Sequence, residues 1–174
     1  GSTYILAKDS LPKAFKDVEN LVVRDIDAQK LVGMSYVPAF NYFAEKYKDS
    51  KTVWKVYHAD FVTLEKGTGI VHIAPAFGAE DMELGEAKGI PMIQHVGTDG
   101  YFTAEVTDFA GLQAKPKPAK NEQGVAEKDG HQKTDIEVIK FLAAKGLLVN
   151  KEKIVHSYPH CWRCETPLLN YAAS

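Results

Sequence analysis

Alternating apolar and polar positions predict several short strands along the chain. Trp54, Val56 and His58 alternate with more polar neighbours across residues 53–58, which is the period of a half-buried strand. Asp99-Gly100 lies between two apolar runs and is a strong signal for a tight hairpin turn. Further strands are predicted from short apolar runs at 4–7, 21–23, 61–64, 69–73, 91–96, 101–106, 147–149 and 154–158.

Helical spacing of apolar residues predicts three helices between these strands. The best lies at 134–145, where Thr134 is the predicted cap and Gly146 the predicted end. A second helix is predicted at 78–88, followed directly by a glycine cap. Ser10, followed by leucine and proline, predicts a helix start with a hydroxyl cap.

The predicted elements indicate a mainly β fold with helical excursions and a barrel-like sheet. Strands and helices do not alternate regularly enough for a parallel β/α fold. Residues 113–132 contain prolines, glycines and lysines with almost no large apolar side chain, which predicts an exposed loop. Gly1 and Ser2 are interpreted as a cloning scar and are left out of the fold prediction.

Composition limits the classes of function. The chain has 174 residues, is 45% hydrophobic and carries a net charge of -2 from 21 basic and 23 acidic residues. No basic field points to a free-standing nucleic-acid binder, although a domain that contacts only the end of a nucleic acid is compatible. No apolar run approaches the ~20 residues of a membrane span, and no signal-peptide pattern begins the chain. We therefore expect a cytoplasmic protein with no membrane partner.

One segment, 67–82, combines features that can form a polar pocket. A glycine turn leads into an apolar strand interrupted by His72, and Pro75 then prevents the strand from continuing in a central ladder. Gly78 allows a sharp turn into a helix whose first turn contains Asp81. A histidine and a carboxylate would then converge on one loop. The spacing alone is more typical of a core histidine and of an acid that merely stabilises a helix start, and from it only a polar pocket can be suggested.

Cys161 and Cys164 are the two cysteines of the chain. Their spacing is that of half a four-thiolate zinc site, and two thiolates cannot complete a tetrahedral site alone. Two free thiols or a redox pair are the alternatives. Lysines in the predicted loop, at positions 115, 117, 120 and 128, either contact nucleic-acid phosphates or are simply solvated. His95 is expected to be structural.

The sequence GTGIVHIAPAFGAED at 67–81 resembles the editing-site segment of the aminoacyl-tRNA synthetases for isoleucine, valine and leucine. Flanking blocks match in the same order, so the resemblance covers about two-thirds of the chain. His72 together with AFG at 76–78 fits the isoleucine enzymes best. The flanking blocks are 57–63, KGIPMI at 88–93, GTDGYFT at 97–103 and HSYPHCWRCETPLLNYA at 156–172.

The resemblance implies a barrel-like editing domain over 3–155, followed by a segment, 156–174, that returns to the synthetase catalytic body. It implies that Asp81 binds the amino group of a misloaded amino acid. It also implies that His72 limits pocket size and contacts the terminal adenosine or the side chain. These two are the implied catalytic residues. The implied substrate-binding residues are Gly67, Thr68, Gly69, Ala74, Pro75, Phe77 and Gly78.

The implied function is hydrolysis of valine from tRNA(Ile) by water, within an enzyme that uses ATP to ligate isoleucine to tRNA(Ile). For the isoleucine enzyme itself, it is established that one methylene group gives only about 1–3 kcal/mol of selectivity, which explains a second site. The implied partners are a tRNA(Ile) acceptor end carrying valine and the rest of the synthetase chain, in a monomer. No cofactor is implied in the editing domain, ATP belongs to the catalytic domain, and zinc is possible at Cys161 and Cys164.

Two alternatives remain open from the sequence. The chain is either a module that binds the acceptor end without hydrolysis, or a small zinc-binding interaction module. The resemblance also departs from the family at one point. The family's pocket uses a threonine-rich peptide of the TTTPWTLP type before the first strand, whereas this chain begins at Thr3-Tyr4-Ile5-Leu6. We therefore expect the chain to carry one wall of the pocket.

Overall fold

A computed structural model describes residues 2–15, 19–64, 67–120, 122–123, 130–152 and 157–172. Its regular elements are helical. They are α1 (Leu11–Ala14), α2 (Ala79–Lys88), α3 (Lys133–Ala144) and three single-turn 3-10 helices at Lys8–Ser10, Ala28–Lys30 and Gly130–Gln132. In the described part of the chain, no helix has both the length and the apolar character needed to cross a membrane.

Helix α2 confirms the helix predicted at 78–88. Gly78 is its extended N-cap, and two acids, Glu80 and Asp81, occupy the first turn, where they favourably oppose the helix dipole. Gly89 ends the helix in the left-handed conformation at φ 64. A glycine adopts this conformation without strain, and its N–H satisfies carbonyls of the last turn.

The helix starts were predicted correctly, but both predicted hydroxyl caps are wrong. Ser10 precedes α1 and makes no capping bond, because its hydroxyl donates to the carbonyl of Gly67 at 2.8 Å. Thr134 lies inside the first turn of α3, and its hydroxyl donates to the carbonyl of Gln113 at 2.6 Å. Each hydroxyl therefore ties a helix to a distant segment. In both places the hydroxyl forms a tertiary hydrogen bond instead of a local capping bond.

The predicted mainly β, barrel-like fold is wrong. Among the described residues, strand pairing occurs only as four isolated antiparallel bridges. Many apolar runs are extended but lie exposed; Val22, for example, is 86% accessible. Alternation indicates extended backbone, but a sheet also needs a neighbour in register over several residues, and these segments align only briefly. The bridges join Ser35 to Lys55, Val96 to Phe102, Tyr101 to Gln113, and His160 to Pro167.

Interruptions of the backbone explain why the pairing stays short. Trp54 has φ 50, in the left-handed region, so the ladder between 33–36 and 54–56 is broken after a few hydrogen bonds. A second pairing joins 95–97 to 101–103 through the predicted Asp99-Gly100 turn, where the amide of Gly97 donates to the carbonyl of Tyr101 at 2.8 Å. The predicted turn at this position is confirmed, although the two flanking segments pair only through an isolated bridge.

Aromatic rings, rather than a sheet, connect the parts of the molecule. Phe109 is buried and contacts Phe141 of α3 at 5.3 Å between ring centroids. Phe102 lies 6.0 Å from Phe109 and 6.1 Å from His95, which in turn contacts Phe77 at 4.6 Å. This row of rings runs from α3 to the loop before α2. It fixes the loop that carries the candidate site.

Some predictions fall outside the described residues. They concern Gly1 of the presumed scar, Lys128 of the loop, and the first part of the 154–158 strand with His156.

Candidate functional site

The loop before α2 is closed by Asp81. The backbone amide of Ala74 donates to Asp81 Oδ2 at 3.0 Å, so the carboxylate reaches back across the turn that precedes its helix. The carbonyl of Ala74 accepts from the amides of Phe77 at 2.9 Å and Gly78 at 3.2 Å. Three hydrogen bonds therefore hold one short loop, and they set the position of the Asp81 carboxylate.

Gly78 is required for this arrangement by close approach. A Cβ added at Gly78 would lie 2.7 Å from Asp81 Oδ2 and 3.0 Å from its Cγ. Real carbon atoms do not come so close, so any side chain at this position must displace the carboxylate. The glycine predicted to allow a turn instead makes room for the acid.

A cavity of about 340 Å³ opens beside this loop. His72, Ala74 and Phe77 of the predicted site all line it, and His72 is exposed at its mouth. Asp81 is not among the lining residues; it reaches the cavity only through its bond to Ala74. The other lining residues are His95, Val96, Phe102, Ala114, Tyr158, Leu169 and Asn170.

His95 lines the cavity in contact with Phe77 of the loop, a placement that sequence reasoning missed. Its ring meets the edge of Phe77 at 4.6 Å and stacks near Phe102 at 6.1 Å. Burial lowers the pKa of His95 below its ordinary value, and the nearby His72 lowers it further, while a backbone hydrogen bond at Ile93 opposes the shift. The ring is therefore neutral at pH 7. One signal was present in the sequence. His95 occupies one of the alternate positions in the predicted strand 91–96 whose side chains point to the same, half-buried side.

The segment predicted to return to the synthetase body supplies another wall. The amide of Ala172 donates to the carbonyl of Ala76 at 2.9 Å, and Gln94 Nε2 donates to the carbonyl of Ala172 at 3.0 Å. Tyr171 packs edge-on against Phe77 at 6.0 Å. This segment is therefore bound directly to the site loop, and sequence spacing gave no sign of the contact.

The glycine turn at the start of the segment lies elsewhere. The carbonyl of Thr68 accepts from the amide of Ala7 at 2.7 Å, and the carbonyl of Gly67 accepts from Ser10. Gly69 has φ 74, and a Cβ there would lie 2.7 Å from the Cβ of Ala7. None of the three turn residues lines the cavity. Their contacts hold the N-terminal segment, and their predicted role in substrate binding stays a prediction.

Pro75, the remaining predicted substrate-binding residue, is buried under the loop. A Cβ added to Gly85 of α2 would lie 3.0 Å from its ring. The proline therefore packs the loop onto α2.

The cysteine pair forms a tight turn at one end of a short hairpin. The amide of Cys161 donates to the carbonyl of Thr166 at 2.9 Å, and Glu165 turns the chain with φ 59. Hydrogen bonding to Thr166 is the main cause that lowers the pKa of the Cys164 thiol, to about 7, with smaller contributions from Cys161 and Lys117. The turn holds two sulfur atoms close together in sequence, both free of disulfide bonds. In the described residues, no group of three or more His, Cys, Asp or Glu side chains is placed to hold a metal ion.

The lysines of the predicted loop pair within the protein wherever they are described. Lys115 bonds Asp135 at 2.8 Å and Lys120 bonds Glu165 at 2.9 Å. The ammonium of Lys117 donates to the carbonyl of Cys164. These contacts tie the segment to α3 and to the cysteine turn, which favours a structural role over phosphate contact.

Comparison with known proteins identifies relatives over almost the whole chain. The isoleucine-tRNA ligase of Clostridium acetobutylicum is 39% identical over 171 residues, 98% of this chain and 14% of the relative. That of Bacillus thuringiensis is 37% identical over 173 residues, 99% of this chain and 14% of the relative. That of Bdellovibrio bacteriovorus is 39% identical over 176 residues, all of this chain and 15% of the relative. No protein-family model matches.

These matches extend the resemblance carried by 67–81 to nearly all of the chain. The chain spans 14–15% of the length of these relatives, so it corresponds to one part of a much longer sequence. Because the similarity runs through nearly all of its own length, the chain belongs, as a segment, to the isoleucine-tRNA ligase family.

Proposed function

We propose that this segment hydrolyses valine from mischarged tRNA(Ile) within an isoleucine-tRNA ligase. The observation that supports it most is the cavity lined by His72, Phe77 and His95, which opens beside the loop closed by Asp81. Its volume of about 340 Å³ is within the range of small-molecule sites, and its walls are mainly apolar and aromatic. Such walls suit the short branched side chain of an amino acid.

Asp81 binds the ammonium group of the valyl ester in this proposal. Its Oδ2 already accepts the Ala74 amide, which fixes the carboxylate in one orientation. Oδ1 then remains for a charge-assisted hydrogen bond, the stronger kind, to the substrate ammonium. Its position in the first turn of α2 places the carboxylate directly after the loop 74–78 and at the favourable end of the helix dipole.

Water is the nucleophile. It attacks the ester carbonyl, the bond from the acyl carbon to the ribose oxygen breaks, and free valine and the 3′ hydroxyl of the tRNA are released. No serine or cysteine is among the described residues that line the cavity, so a covalent intermediate has no obvious side chain. Acceleration comes mainly from holding the ester and water in place, assisted by the neighbouring ribose hydroxyl of the substrate.

Deacylation of valyl-tRNA(Ile) tests the proposal. We expect the ligase that carries this segment to release valine, and Asp81→Ala to slow the release at least about a hundredfold, because the ammonium loses its carboxylate partner. Glu80→Ala is the matched control, since it removes the neighbouring, exposed acid of the same helical turn. Unchanged hydrolysis by Asp81→Ala would overturn the assignment.

The remaining features follow from the ligase family and are proposed with it. The rest of the ligase supplies ATP-dependent attachment of isoleucine to tRNA(Ile) in the cytoplasm, as a monomer. Cys161 and Cys164 have the spacing of half a tetrahedral zinc site, with two further ligands from the rest of the ligase. Binding of a valyl-adenosine analogue without any turnover would instead indicate a module that only binds the acceptor end.

A further inference from the structure

Two histidines lie on the same cavity in different environments. His72 is exposed at the mouth, whereas His95 is half-buried between aromatic rings. Only His72 falls in the sequence segment that resembles an editing site. His95 comes from the next block of the chain, and the proposed chemistry gives it no role.

The backbone around His95 is held on both sides. Its carbonyl accepts the amide of Thr103 at 3.1 Å, and the next residue, Val96, is buried and bridges to Phe102. On the ring side, Phe77 is fixed by the hydrogen bond from its backbone amide to the Ala74 carbonyl and by its contact with Tyr171. His95 therefore forms a wall that cannot easily move away from a bound side chain.

A wall of this kind discriminates by size. A soft wall yields to one extra methylene group, whereas a fixed ring rejects it by overlap, and such exclusion is a common source of specificity. The edge-on contact with Phe77 holds the His95 ring in place where it lines the cavity.

We propose that His95 is a specificity-determining residue, whose ring forms a fixed part of the cavity wall beside Phe77 and excludes aliphatic side chains larger than valine. This inference rests on the proposed function, because it assigns the discrimination step of that same site. The ligand class is an aminoacyl ester with a short branched aliphatic side chain.

The charge state of His95 is part of this role. The other titratable groups that line the cavity with His95 are His72 and Tyr158, and its stacking partners are uncharged. Burial lowers the pKa of His95 and so favours the neutral ring. An aliphatic side chain can contact a neutral ring without the cost of desolvating a charge. Protonation at low pH would place a cation against that side chain, so KM for the valyl ester should rise as pH falls.

Hydrolysis of valyl-tRNA(Ile) and isoleucyl-tRNA(Ile) by the same ligase measures the discrimination. In His95→Ala we expect kcat/KM for the isoleucyl ester to rise, so that the ratio between the two substrates narrows at least about tenfold. In His95→Phe the ring and its stacking remain, so exclusion should persist while the rise of KM at low pH disappears. His58→Ala is the matched control, because His58 is exposed and lies outside the cavity lining.

The outcomes separate this inference from the proposed function. If wild-type ligase releases valine and Asp81→Ala does not, but His95→Ala leaves the substrate ratio unchanged, then the role of His95 is wrong. The inference would also be overturned if His95→Ala lowered kcat/KM by the same factor for both esters and His95→Phe kept the wild-type pH dependence of KM. That result would indicate that the ring has only a structural role. If wild-type ligase releases no valine, the proposed function itself fails.

Discussion

The two halves of the segment 67–82 have different environments in the structure. The first half, the turn Gly67 to Gly69, contacts the N-terminal segment through Ala7 and Ser10. The second half, from His72 to Asp81, contributes His72, Ala74 and Phe77 to the cavity lining and is fixed by hydrogen bonds within its own loop. A continuous stretch of sequence is therefore divided between stabilising the fold and forming the site.

This difference teaches that adjacency in a motif does not imply a shared role. Gly69 in the first half provides close approach to another segment, whereas Gly78 in the second half provides room for the Asp81 carboxylate. Substitutions in the two halves should therefore separate stability from activity. The following variants test whether that separation holds.

The largest effect is expected from Gly78→Ala. The new Cβ would overlap Asp81 Oδ2, at 2.7 Å, and displace the carboxylate. Misplacement of a reacting group by about 1 Å can lower a rate about a hundredfold, so we expect a loss of that order in valine release. Thermal unfolding should change little. Ala79→Gly, one residue along the same helix start, is the control and should keep most of the activity.

Gly69→Ala should affect stability instead of activity. At φ 74 an alanine is strained, and its Cβ would meet Ala7 at 2.7 Å. We expect the free energy of unfolding to fall by about 1–3 kcal/mol, measured by urea denaturation. Gly33→Ala has a similar φ of 84 but open space around the Cβ, so it shows the strain alone. A smaller loss in Gly69→Ala than in Gly33→Ala would contradict the close contact with Ala7.

Ser10→Ala should have a smaller effect of the same kind. Ser10 is 1% exposed, and its hydroxyl bonds the carbonyl of Gly67 at 2.8 Å. Removal leaves a carbonyl without this partner, and we expect a loss of about 1–2 kcal/mol in unfolding free energy. Ser35→Ala, at an exposed position, is the comparison. Equal stability of the two variants would show that the turn does not anchor the N-terminal segment.

The smallest effect concerns the pH dependence of stability. Because the pKa of folded His95 is lowered, the unfolded chain binds a proton more readily as pH falls below about 6.5. Stability contributed by the neutral ring is full above that pH and decreases below it. His95→Phe should remove this part of the decrease in denaturation midpoints between pH 7 and 5. An unchanged pH profile in His95→Phe would contradict the buried, neutral ring.

The sequence predicted local features well where local physics decides them. The ends of α2 followed from Gly78, the two acids of its first turn and Gly89, and the Asp99-Gly100 turn followed from its dipeptide. All these signals act within a few residues.

Long-range features could not be predicted in the same way. Alternation predicts extended segments but does not specify which of them pair, and the described segments meet only at single bridges. Ser10 and Thr134 looked like caps because their distant acceptors, Gly67 and Gln113, are invisible in sequence. The same limit hid the placement of His95 beside Phe77, since only the fold brings the two blocks together.

Titration of the ligase with a non-hydrolysable valyl-adenosine analogue, followed by NMR of its backbone amides, tests the division of the segment most directly. The account predicts that the signals of Ala74, Phe77 and His95 shift with saturation, while those of Gly67, Thr68 and Gly69 stay in place. Saturable shifts at the three turn residues, with Phe77 and His95 unaffected, would contradict it.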